Sequence, residues 1–164
     1  ASCFVNYCEH EQICCLDINP FNMNYYSNKI RPIYIDTQSK IIIKDVENYI
    51  NSDFDIIIDD GSHNKKDQIL TLNSFFSKLK KNGIYVIEDT YQYLEIPTLN
   101  DDKLDYGVNE FIESVQKTGT HLTTYLNSEE KKKIQLGIKK IFFEKGNFVY
   151  KNQSLKEIIF IEKN

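Results

Sequence analysis

Arginine is nearly absent. The 164 residues hold a single one, Arg31, among 20 basic side chains, and the formal net charge is -4. Bidentate reading of phosphate or guanine by arginine clusters is therefore unavailable, and no nucleic-acid partner is expected. The lysine groups Lys78, Lys80, Lys81 and Lys131, Lys132, Lys133 sit beside polar turns and read as solvated helix ends. No apolar run approaches the roughly 20 residues that a membrane helix needs, so no membrane partner is expected either. A basic segment leading into an apolar one, the mark of a signal peptide, is not visible at the N-terminus. With 6 glycines, 3 prolines and no repeat, collagen-like and low-complexity readings fall away. What remains, at 41% hydrophobic and 27% charged residues, is the balance of a soluble globular domain. One domain over residues 1–164 is expected, burying roughly two-thirds of the surface of its unfolded chain.

All four cysteines, Cys3, Cys8, Cys14 and Cys15, fall in the first 15 residues, with His10 among them. A zinc site would use paired C-x2-C spacings closed by ligands elsewhere, and that pattern is missing. Cys14 and Cys15 lie in Ile13–Leu16, which reads as a strand with its two thiols on opposite faces. Small buried hydrophobes in a reducing, cytoplasmic compartment are the expectation.

Strand-like and helix-like segments alternate along the chain, which predicts an α/β fold with a mostly parallel sheet. Strands are expected at 12–17 and 32–36, ending in Asp17 and Asp36, with a short helix over Asp45–Ile50. The β-branched run Phe54–Asp59 reads as a central strand buried on both faces. Asn64 is placed to cap a helix reaching about Lys81, with Ile69, Leu72, Phe76 and Leu79 on one apolar face. Asn82-Gly83 should end it, Gly83 taking the left-handed C-cap, before a strand Ile84–Ile87. Residues 91–105, with Tyr91, Tyr93, Leu94 and Ile96, lack a period and read as a loop over the sheet's carboxyl end. Val108, Phe111, Ile112 and Val115 mark another helix, Ser128-Glu-Glu opens a further short one, and the C-terminal tail reads as antiparallel strand.

In this arrangement acids stand at four successive strand ends: Asp17, Asp36, Asp59-Asp60 and Glu88-Asp89. The carboxyl edge of an open α/β sheet is where ligands bind. Acids at strand ends also cap following helices, and Asp17 and Asp36 alone would be read either way. The two double-acid ends are different, because like charges beside buried strands need a cation or donors to offset them. Converging oxygen ligands suit Mg²⁺, Ca²⁺ or Mn²⁺. His63, three residues after Asp60, is placed to accept a proton from a substrate hydroxyl. His10 and His121 have no such setting. A phosphatase- or hydrolase-like metal enzyme could use the same acids, although no nucleophile stands out.

The segment Phe54-Asp-Ile-Ile-Ile-Asp-Asp-Gly-Ser-His63, followed by Gln68 and then Asn82-Gly-Ile-Tyr-Val-Ile-Glu-Asp-Thr90, resembles one group of class I S-adenosylmethionine-dependent methyltransferases. These are the metal-dependent macrolide sugar O-methyltransferases and their cephalosporin hydroxylase-like relatives. Asp17-Ile-Asn-Pro20 and Asp36-Thr-Gln-Ser39 resemble the family's next two cofactor segments, in the right order. The resemblance implies a Rossmann-like sheet with an antiparallel C-terminal strand, flanked by helices. It implies that Asp17 bonds the ribose hydroxyls of S-adenosylmethionine and that Asp36, with Gln38 or Ser39, lies at the adenine. It further implies that Asp59 faces the cofactor's methionine end, that Asp60, Glu88 and Asp89 hold Mg²⁺, and that His63 is the general base. The acceptor would be a hydroxyl of a sugar or other small molecule, and a homo-oligomer is compatible with the family. The glycine-rich turn that opens the family's fold is missing, and Ala1–Tyr7 resembles the helix after it. The chain is accordingly read as starting beyond the family's first strand or as natively shortened. A shortened, non-catalytic binding or regulatory module is the alternative.

Overall fold

The computed structural model describes residues 5–6, 9, 12–22, 27–91, 106–117, 122–150 and 153–164. Cys3, Cys8, His10, His121 and loop residues 92–105, among them Tyr93, Leu94 and Ile96, lie outside the described residues.

The elements follow in the order β1 (Ile13–Asp17), β2 (Ile30–Tyr34), α1 (Lys40–Tyr49), β3 (Phe54–Asp59), α2 (Lys65–Phe75), β4 (Leu79–Ile87), α3 (Val108–Lys117), α4 (Ser128–Gly137), β5 (Ile138–Tyr150) and β6 (Gln153–Lys163). β1 and β2 pair in parallel, as do β3 and β4. β6 runs antiparallel between β4 and β5, giving the order β3-β4-β6-β5. The expected parallel α/β plan with an antiparallel C-terminal edge is therefore present, that edge being a hairpin. The parallel strands form two sheets rather than one, and β1 and β3 each end a sheet.

One hydrophobic core unites them. Ile33 and Ile35, Ile43 and Val46 of α1, Ile69 and Leu72 of α2, Phe111 and Ile112 of α3, and Ile134 of α4 pack in a single cluster with Tyr85, Ile87, Ile159 and Ile161. Alternation along the strands leaves the other sheet face outward. Ile56 is 50% exposed and Ile58 43%, which corrects the expectation that β3 is buried on both faces. The described helices pack against one side of this sheet, and β3 ends it, so its second row of isoleucines has no layer over it among the described residues.

Local chemistry explains most boundaries. Ser39 Oγ accepts the Ile42 N–H and starts α1 five residues before the sequence placed it. The Ile41–Ile43 run has strand-like composition, but Ile43, Val46 and Ile50 recur at helical spacing and are buried. Asn64 caps α2 as expected, its side chain accepting the Lys66 N–H at 2.9 Å. Asn127 and Glu130 form a reciprocal capping box at α4.

The end of α2 is a correction. The helix stops at Phe75, a 3-10 turn covers Phe76–Lys78, and Leu79 already pairs with Phe54 as the first residue of β4. Leu79 is buried as expected, but from a strand. The left-handed residue is Asn82, at φ 60°, within an irregular stretch of β4 between the Phe54–Leu79 and Ile56–Ile84 pairs. Gly83 serves close approach: a Cβ there would lie 2.8 Å from Leu79 Cγ and 3.0 Å from the carbonyl oxygens of Asp55 and Lys80.

Candidate active site

The carboxyl ends of β1, β2, β3 and β4 present the acids that the sequence singled out. Asp17 closes β1 and its Oδ1 accepts the Asn19 N–H at 2.7 Å. Asp36 lies two residues past β2, since that strand runs Ile30–Tyr34 rather than 32–36, and its Oδ1 accepts the Gln38 N–H at 3.0 Å. Both carboxylates are thus held by short turns through Oδ1. Gln38 is exposed, whereas Ser39 is engaged as the α1 cap.

Asp59, the last residue of β3, sits differently. Its Oδ2 accepts the Thr71 hydroxyl and, at 3.5 Å, the Tyr85 hydroxyl, and the Gly61 N–H also bonds the carboxylate. Desolvation outweighs these donors and pushes its pKa up to about 6. Tyr85, fully enclosed, is raised too, first by burial and then by the neighbouring Asp59 charge.

The loop after β3 turns back through His63, whose φ of 57° places its ring between two acids. His63 Nε2 lies 3.2 Å from Asp60 Oδ1, and Nδ1 lies 3.6 Å from Asp89 Oδ2. Ligand atoms of Asp60, His63 and Asp89 all fall within 4.8 Å of one another. Asp89 itself has a left-handed φ of 49°. Glu88 stands outside this group, but Asp60 and Asp89 both act on it. Burial first, and then these two neighbouring charges, raise its pKa. The carboxylates of Asp60 and Asp89 at cation-binding separation, with a third carboxyl beside them under like-charge pressure, form an oxygen donor set that fits a hard divalent ion, and the His63 imidazole lies next to it. Of the predicted metal residues, the structure brings Asp60 and Asp89 together with His63 and leaves Glu88 adjacent.

Apart from Gln68, which carries part of the resemblance but was given no role, sequence reasoning missed the buried polar row of α2. Asp67 accepts the Ser62 hydroxyl at 2.6 Å and the Thr37 hydroxyl at 3.2 Å, tying the loop after β3 to the loop after β2. Gln68 donates its amide to the Glu88 carbonyl at 3.0 Å. The signal was present: Asp67, Gln68 and Thr71 interrupt an otherwise apolar helix that is buried on most sides. Cys14 and Cys15 are free and half-buried in β1, and burial raises both thiols.

No family model matches the sequence, and no curated protein matches it. Solved structures do. The MycE methyltransferase from the mycinamycin biosynthetic pathway, in complex with Mg and SAH, is 23% identical with a TM-score of 0.58, over 93% of this chain and 36% of that one. Its complex with Mg, SAH and mycinamycin VI gives the same values. A second crystal form with Mg and SAH gives 22% identity and a TM-score of 0.59, with the same coverage. The chain therefore spans about a third of the length of these proteins. Along 93% of its own length, the chain shares its fold with part of these methyltransferase structures.

Proposed function

We propose that this chain is the catalytic part of a Mg²⁺-dependent S-adenosylmethionine O-methyltransferase that methylates a hydroxyl on a sugar or other small molecule. The observation that carries the reading is the convergence of Asp60, His63 and Asp89 at the carboxyl ends of β3 and β4, with Asp17 and Asp36 at or just past the carboxyl ends of the separate β1–β2 pair. The MycE structures of the same fold hold Mg and SAH, and one holds mycinamycin VI, which supports both the cofactors and a small-molecule acceptor.

In this reading Asp60 and Asp89, with Glu88 beside them, would hold Mg²⁺. The ion would supply a positive charge that makes the acceptor hydroxyl more acidic. His63 takes the hydroxyl proton on Nδ1, which at 3.6 Å from Asp89 makes no hydrogen bond, while the bond from Nε2 to Asp60 at 3.2 Å orients the ring. Asp17 accepts hydrogen bonds from the ribose hydroxyls through the oxygen its own turn leaves unused. Asp36 and the exposed Gln38 line the adenine, and Asp59 faces the methionine end of the cofactor. Asp67 joins the loop that carries Asp36 and Gln38 to the loop that carries Asp60 and His63.

The test is methyl transfer to hydroxyl-bearing sugars and macrolides by the whole protein, after EDTA treatment and again with Mg²⁺ restored. Calorimetric binding of S-adenosylhomocysteine runs alongside. Activity lost in EDTA and recovered with Mg²⁺ is expected. Full activity in EDTA removes the metal from the mechanism. Tight S-adenosylhomocysteine binding without transfer to any acceptor would instead identify a non-catalytic module of the same fold.

A further inference from the structure

Asp89 is the middle residue of a segment gripped from both sides. On one side Gln68, 2% exposed on α2, donates its Nε2 to the carbonyl of Glu88 at 3.0 Å. On the other, Asn109 in the first turn of α3 donates its Nδ2 to Thr90 Oγ1 at 2.9 Å and lies 3.2 Å from the Thr90 carbonyl oxygen. Thr90 is fully buried. The Glu88 N–H donates to the Asp59 carbonyl at 3.0 Å, so the peptide leading out of β4 is anchored to β3 as well. Between these anchors Asp89 holds a left-handed φ of 49°, a conformation uncommon for a non-glycine residue though one that Asp tolerates better than most.

The two amides share a second property. Gln68 Oε1 and Asn109 Oδ1 are buried without a hydrogen-bond partner among the described residues. An orphaned buried acceptor is unfavourable, and an apolar side chain of similar volume would fill either position without one. Only the nitrogen half of each amide is used, and both nitrogens hold backbone carbonyls that flank Asp89. The carbonyl is an acceptor only, which fixes the nitrogen as the end that faces it.

We propose that Gln68 and Asn109 are positioning residues. They clamp Glu88-Asp89-Thr90 from opposite sides, hold Asp89 in its left-handed conformation, and thereby set the affinity of the Asp60–Asp89 group for a divalent cation. This rests on the metal reading above, and the test separates the two. Free Mn²⁺ is followed by electron paramagnetic resonance during titration of the full chain. Wild type is compared with Gln68→Met, with Asn109→Leu at the half-buried position where folding is least at risk, and with Ile43→Val in the core as a stability control. The expected result is a Kd for Mn²⁺ raised fivefold or more in each amide variant, measured where all proteins are folded, and unchanged in the control. A Kd within twofold of wild type in both amide variants overturns the clamp while the metal site stands. Absence of Mn²⁺ binding by wild type overturns the metal site, and the clamp falls with it.

Discussion

Replacing Thr71 with valine removes the hydroxyl that Asp59 accepts and leaves the packing volume almost unchanged. Asp59 already titrates at about 6, because burial outweighs its donors. A carboxyl held about two pH units above its ordinary value corresponds to about 3 kcal/mol. Since the folded-state pKa is raised, that stability is present in acid, below the unfolded pKa. It is lost as pH rises through about 6, where the folded chain must ionise a desolvated group. The Thr71 hydroxyl opposes this loss by bonding the charged form, and a bond to a charged group contributes about 1.5–3 kcal/mol. In Thr71→Val the Asp59 titration should therefore move upward by roughly one further pH unit. The destabilisation should be about 1 kcal/mol near pH 4.5, where only a neutral bond is lost, and about 2–3 kcal/mol at pH 8. Urea unfolding followed by circular dichroism across this range gives the free energies. Carbon-13 spectra give the titration, with Asp59→Asn identifying the resonance. Equal destabilisation at both ends of the range, with the Asp59 titration unmoved, would refute the account.

Three other outcomes follow from the same geometry. His63→Ala should leave S-adenosylhomocysteine and metal affinity near wild type while lowering turnover by roughly two to four orders of magnitude, and wild-type turnover would remove the base. Asp17→Ala should weaken S-adenosylhomocysteine binding by about 1.5–3 kcal/mol for each ribose hydrogen bond lost, read by calorimetry. Gly83→Ala should destabilise by about 1–3 kcal/mol in urea, because a methyl there meets Leu79 and two backbone carbonyl oxygens. A melting curve identical to wild type would show that the β3–β4 irregularity yields freely.

The strand ends were legible because their signal is local. A β-branched run followed by acids, as in Phe54–Asp60 and Ile84–Asp89, marks both the element and the edge it reaches. The Asn64 cap was legible on the same ground, since its side chain bonds its own helix, whereas Ser39, which caps α1 in the same way, was passed over for a start at Asp45. The end of α2 was not legible. Leu79 continues the helical spacing of Ile69, Leu72 and Phe76, and that spacing records burial without saying whether a helix or a strand supplies it. The two-sided burial expected of β3 failed for a related reason. A run of isoleucines states what could be covered, whereas coverage depends on layers contributed from elsewhere.

By itself the sequence determined the α/β alternation, the strand-end acids and the His63 turn, since each depends on residues within a few positions of one another. Only the tertiary structure decided which acids meet. Asp60 and Asp89 are brought together by the parallel pairing of β3 and β4, with His63 between them and Glu88 to one side. It also decided that the polar residues of α2 hold the strand-end loops in place, through contacts such as Gln68 to Glu88 and Asp67 to Thr37. Those partners are 20 and 30 residues apart in the chain, and no local rule reaches so far. Packing α2 across the sheet sets them in register.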